Sequence, residues 1–220
     1  MRILKKLLLL GIFGVSLSTF AAPPSITDKK MELEFVPVPN YKIINGSNVT
    51  NSAKNWMVIN LSYKMPNLKA RSKNKSQLFL DNAYIEWEVL SKLNVGNKTA
   101  LGMITGKTTY WSIPIDGNVH RALAVLPHSL LKRYLPNNVQ SAINKTVFVR
   151  ATLYNEKDKV LATWYSSDKN KKGKARTLFN RVKNNKNAVK IEGGIYPKNK
   201  TAWSFINIQK YDLIKEEKVK

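Results

Sequence analysis

Cysteine is absent from all 220 residues. That excludes disulfide staples, thiolate metal sites, cysteine nucleophiles and the lipid-attached cysteine of bacterial lipoproteins. An exported form of such a chain must be held by packing alone. Histidine is nearly missing too. His120 and His128 stand eight apart with no acidic cluster beside them, so they read as packed or surface residues, not metal ligands. The chain also lacks the spaced acidic run of a calcium loop, the Gly-x-Ser-x-Gly elbow of serine hydrolases and the dinucleotide glycine fingerprint. No catalytic, cofactor-binding or metal-binding residue is therefore assigned. Acidic residues are scarce: 14 Asp and Glu face 37 Lys and Arg, a formal net charge of +23.

Long apolar runs are also lacking, with one exception at the start. Arg2, Lys5 and Lys6 precede an apolar block from Leu7 to Leu17, and Thr19-Phe20-Ala21 supplies small residues for cleavage. This is the layout of a secretory signal peptide over residues 1–21. The block is shorter than the roughly 20 residues a bilayer span needs. The expectation is an exported protein, periplasmic, cell-surface or secreted, with no integral membrane segment after cleavage. Loss of Arg2, Lys5 and Lys6 leaves 34 basic against 14 acidic residues, a net +20. A field of that sign attracts polyanions. The excess of lysine over arginine favours diffuse attraction over planar, bidentate recognition.

What remains is mostly short alternating stretches between turn clusters, the pattern of an all-β domain. Residues 22–30 read as a polar lead-in, 31–214 as the domain and 215–220 as a frayed tail. The expected strands begin with Met31 to Val38, where Pro37 marks an edge. In Trp56 to Lys64, Met57, Ile59, Leu61 and Tyr63 share a face; in Ala83 to Leu90, Ile85, Trp87 and Val89 do so. Ala100 to Thr105 and Thr109 to Ile115 follow, separated at Gly106, and then Arg121 to Leu126. Pro127 to Tyr134 reads as a short helix stopped by Pro136. Val147 to Tyr165 reads as a β-hairpin around the polar loop Asn155–Lys159, with Val147, Val149, Ala151 and Leu153 on one face. Its other face carries Phe148, Tyr154, Leu161 and Tyr165, so either something covers it or it is a contact surface. Lys169 to Lys174 reads as a loop, Leu178, Phe179 and Val182 as one side of a short helix, and Trp203 to Leu213 as a last strand.

Few residues carry chemistry. Glu86 and Glu88, two apart on a strand, project from one face about 7 Å apart. That spacing suits a glycosidase acid–base pair, although a solvated strand face explains it more simply. Gly102 to Thr108 resembles a phosphate loop but has three residues between its glycines where four are needed, and a strand follows in place of a helix. Seven Asn-x-Ser/Thr triplets, at Asn45, Asn48, Asn60, Asn74, Asn97, Asn144 and Asn199, matter only in a glycosylating pathway. Ser167 to Lys190 holds nine basic residues against Asp168 alone. There Lys169, Lys171, Lys172, Lys174, Arg181 and Lys183 can track an acidic glycan, extracellular DNA or anionic lipid headgroups.

The strand count, the turns and the late hairpin imply an immunoglobulin-like β-sandwich of about seven to nine strands with one or two short helices. Trp87 resembles the core tryptophan of such sandwiches, without the cysteine pair around it. The signal peptide, Trp56 to Tyr63, the Asp81 to Val89 strand and the Val147 to Tyr165 hairpin together resemble secreted immunoglobulin-like proteins encoded among bacterial type IV pilus genes. That resemblance implies a non-enzymatic envelope role through protein–protein contact, in pilus assembly or function. On this reading Phe148, Tyr154 and Tyr165 meet an envelope or pilus protein. The alternative is a binder of extracellular polyanions working through the basic stretch. A third class, a hydrolase using Glu86 and Glu88, needs only an activity screen with Glu86→Gln.

Overall fold

The computed structural model describes residues 25–37, 55–67, 79–135, 146–166, 172–204 and 211–215. The expected signal peptide over residues 1–21, Lys169, Lys171 and the triplets at Asn45, Asn48, Asn74 and Asn144 lie outside these residues. One sheet joins β1 (Thr27–Pro37), β2 (Asn55–Lys64), β7 (Val119–Leu126) and β11 (Tyr196–Pro197) in the order β1-β2-β7-β11. The second has the order β10-β5-β4-β8-β9. Its strands are β4 (Tyr84–Val95), β5 (Lys98–Thr109), β8 (Phe148–Tyr154), β9 (Val160–Tyr165) and β10 (Val189–Ile191). A small pair, β3 (Phe79–Asp81) and β6 (Ser112–Pro114), lies apart. The result is an all-β sandwich. Among the described residues seven strands have six residues or more, and β3, β6, β10 and β11 are pieces of two or three. β1 begins at Thr27, so part of the expected lead-in is strand.

The alternation in the sequence is the alternation of burial. Met57, Ile59, Leu61 and Tyr63 from β2 meet Ile85, Trp87 and Val89 from β4 and Val149, Ala151 and Leu153 from β8 in one core. Tyr63 and Trp164 join the two sheets through rings whose centroids are 5.2 Å apart. The Trp87 indole N–H donates to Thr108 Oγ1 at 3.0 Å, so the largest core side chain buries no unpaired donor. β1 is the edge of its sheet and Pro37 is its last residue, where a missing N–H costs the ladder least.

Three local expectations change. The break at Gly106 is not there: β5 runs through it from Lys98 to Thr109. A Cβ on Gly106 would lie 2.1 Å from the Ile195 carbonyl oxygen, so glycine is needed because another backbone passes over it. β4 and β5 extend to a two-residue turn at Gly96-Asn97, where Gly96 takes φ 59°. The polar residues between Ser91 and Lys98 hide that hairpin from a search for alternation. The expected strand from Trp203 to Leu213 is not seen among the described residues. Trp203 sits in a turn over residues 201–204, and Ile214 makes only an isolated bridge to Tyr110.

Each sheet has an outer cover. α1 (His128–Tyr134) starts after Pro127 as expected, and its Leu131 enters the core. α2 (Lys172–Lys183) lays Phe179 and Val182 on the outer side of the five-stranded sheet, against Leu90. It begins inside the stretch read as a loop. The four-stranded sheet is covered by Trp203 and Tyr211, packed with Val58, Leu123 and Val125. That is why β7 is apolar on both faces.

Candidate interaction surface

The hairpin carries the residues singled out for contact, and its outer face divides in two. Phe148 and Tyr165 are half-buried in the cluster formed by Phe179, Val182 and Leu90. The Tyr165 and Phe179 rings are 6.0 Å apart. The cover over them is therefore the chain's own helix α2, which displaces the contact reading for these two residues. Tyr154 lies outside this cluster. It stacks on Tyr84 at 4.8 Å and 14°. Burial and the hydrogen bond to Glu86 push its hydroxyl up to about 12. Leu161 turns towards the central core, because the pairing shifts between Leu153 and Tyr154.

The hairpin loop is made by Asn155, whose Oδ1 accepts the backbone N–H of Lys157 at 3.1 Å and of Lys159 at 2.9 Å. Its acidic residues are ties to the neighbouring turn. Tyr84 donates to Asp158 Oδ1 at 2.7 Å, and Asn82 Nδ2 to Glu156 at 3.3 Å.

Glu86 and Glu88 do share the outer face of β4. Glu88 is held by Arg150 on β8, through Nε to Oε2 and through Nη2 to Oε1 at 2.6 Å. Arg150 also lies 4.8 Å from the Phe179 ring centre, so its guanidinium is fixed on both sides. Glu88 is thus fully engaged by Arg150, while Glu86 stays half-buried on the same face beside it. A cleft of about 430 Å³ opens beside them, bounded by Lys107, Glu192, Tyr196 and Lys200. The near-phosphate loop is plain strand. A Cβ on Gly102 would meet Leu93 Cδ1 at 2.5 Å and the Val189 carbonyl at 2.9 Å, so this glycine seats β10.

The basic stretch resolves into the outer side of α2. Lys174, Arg176, Arg181 and Lys183 are exposed. No acidic residue stands in the first turn, and none of the four takes part in the ion pairs found among the described residues. Helical spacing sends Ala175, Phe179 and Val182 inward and these cations outward. Lys172 opens the helix.

Two polar features escape the sequence. Lys198 in the 3-10 turn Lys198–Lys200 is 5% exposed, and its ammonium donates to the Ser204 carbonyl at 3.0 Å. Burial lowers its pKa. His120 on β7 is buried between Asp116 and Asp212. Asp212 lies 92 residues away, so no local motif announces it.

No curated protein matches the chain. A crystal structure of a protein from Akkermansia muciniphila shares the fold, with a TM-score of 0.65 at 16% identity over 89% of this chain and 95% of that one. A likeness at that identity speaks for the fold alone. A family profile, in contrast, runs over residues 18–218. It spans both sheets, both covers and the hairpin, and the chain belongs to the family it defines.

Proposed function

We propose that this is a non-catalytic protein of the bacterial envelope that works by surface contact in pilus assembly or function, and that the exposed side of α2 is its contact surface. The family match over residues 18–218 is compatible with a non-enzymatic envelope protein, and the leader-like start of the chain supports export. No helix among the described residues is long and apolar enough to cross a membrane. The immunoglobulin-like kinship is part of the same proposal. It rests on Trp87 buried at the centre of β4, its indole N–H bonded to Thr108.

One observation carries the choice of surface. α2 takes up the apolar hairpin face and turns Lys174, Arg176, Arg181 and Lys183 outward without an acidic partner among the described residues. A partner that fits has a clustered acidic surface. The second reading is a polyanion, favoured by the lysine-rich charge and lack of directional geometry. The test replaces Lys174, Arg176, Arg181 and Lys183 together by glutamine. Loss of an envelope protein from pull-downs, with heparin retention little changed, supports protein contact. Loss of steeply salt-dependent heparin retention alone supports the polyanion. Retention of both by the variant refutes the surface.

A further inference from the structure

The C-terminal segment 211–215 crosses the end of the sandwich, tied there largely by hydrogen bonds. Lys215 N–H donates to the Thr109 carbonyl at 2.7 Å, and Trp111 N–H to the Leu213 carbonyl at 3.0 Å. The Lys215 ammonium donates to Asn82 Oδ1 at 2.8 Å and lies 4.7 Å from the Trp111 ring centre. Tyr211 and Ile214 pack on the two apolar clusters, but Leu213 between them is 68% exposed, so the middle of the segment is held by polar ties. Its anchor is Asp212.

We propose that His120 is a proton-dependent latch that holds the C-terminal segment across the end of the sandwich. His120 Nδ1 lies 2.9 Å and 3.2 Å from the two oxygens of Asp212, and Nε2 lies 3.1 Å from Asp116 Oδ1. A carboxylate only accepts, so both ring nitrogens must donate, and only the imidazolium has two N–H groups. The neutral ring turns a lone pair towards one carboxylate at about 3 Å, in a site shielded from water.

The surroundings set the balance. From β2, the Tyr63 hydroxyl donates to Asp212 Oδ2 at 3.3 Å, and its ring stacks on His120 at 5.8 Å. From the end of β5, buried Tyr110 comes close enough for Asp212 to raise its pKa further, after burial itself. From the turn before β7, Asp116 faces Nε2 and also accepts Asn118 N–H at 2.8 Å and Nδ2 at 2.7 Å. Burial alone would lower the affinity of His120 for its proton. The bonds and charges of Asp212 and Asp116 outweigh it, and the pKa is raised. Burial raises Asp116, and its bonds to Asn118 and His120 bring it below the usual value.

The sign follows from the two directions. A histidine raised in the folded state contributes stability below its unfolded pKa and loses it as pH rises through the raised value. Asp116, lowered in the folded state, contributes above its unfolded pKa and loses that contribution as pH falls through the lowered value. The latch is closed between those limits, and mild alkali opens it.

Amide protection read by NMR tests this, with His128→Gln so that one imidazole titrates. Between about pH 6 and about pH 9, the protection of the Trp111 and Lys215 amides relative to β4 should fall. The fall should be about tenfold for each unit by which His120 is raised, with a midpoint matching the His120 ring titration. His120→Gln and, should that variant not fold, Asp212→Asn should abolish this midpoint. Protection that stays flat while the ring titrates overturns the latch, as does the same midpoint surviving in either variant.

Discussion

The two sheets are covered by opposite means. α2 covers the five-stranded sheet with a regular element, apolar inside and cationic outside. The four-stranded sheet is covered by turns, through Trp203 against Trp56 at 5.2 Å and Tyr211. A helix satisfies its own backbone groups and needs only a stripe of apolar side chains. An irregular cover must bond its backbone individually, as Trp203 N–H does to Thr201 Oγ1 and Ser204 N–H to the Thr201 carbonyl. The helical cover thus leaves its outer side free for other work. The irregular one spends its polar groups on itself, down to the buried ammonium of Lys198.

The sharpest way to break this contrast is to empty each cover of its largest ring. Phe179→Ala and Trp203→Ala should each cost about 3–4 kcal/mol in urea denaturation. Hydrogen exchange should then loosen α2 alone in the first and residues 201–204 in the second. Loosening of both covers by either change would make them one cooperative unit.

Glu88→Gln comes next, since it leaves the Arg150 guanidinium beneath α2 without its counter-charge. A loss of about 2 kcal/mol is expected. The double change Glu88→Gln with Arg150→Met, which strands neither charge and keeps the packing on Phe179, should cost less. A loss as large as that of Glu88→Gln alone would locate the energy in packing and not in the stranded charge.

Lys198→Met probes the other cover and should change stability by less than about 1 kcal/mol at neutral pH, because a buried ammonium without a carboxylate contributes little. Lys198 is lowered in the folded state, so the unfolded chain binds more protons in the alkaline range. Wild-type stability should therefore gain a contribution from this group as pH rises from the lowered value towards the unfolded one. The methionine variant should lack that contribution; an unchanged alkaline profile would place the ammonium in water. The four glutamines on α2 should have the smallest effect on stability, within about 0.5 kcal/mol.

The contrast also explains what could be read from the sequence. β2, β4 and the β8–β9 hairpin are legible because half-buried strands alternate, and α2 because Leu178, Phe179 and Val182 keep helical spacing. Trp203 and Tyr211 carry no period, since each residue of an irregular cover is placed by the surface beneath it. An apolar strand outside, like Leu123 and Val125 on β7, is the one sequence sign that a cover exists. The same limit applies to sites. The cations of α2 are visible as a run, whereas Asp116, His120 and Asp212 are assembled by folding. Gly106 misleads for a related reason, since what needs the space is Ile195, far along the chain.

The turn at Gly96-Asn97 has a consequence for the order of events in folding. It joins two 12-residue strands through a loop of two residues, so their twelve paired positions form with little loss of chain entropy. β2 finds β7 only across more than fifty residues, and the segment at Tyr211 needs both in place. Folding can start in the middle of the chain and finishes at its end. A chain truncated before Trp203 would keep its nucleus and lose its closure, giving fast collapse without a locked native state.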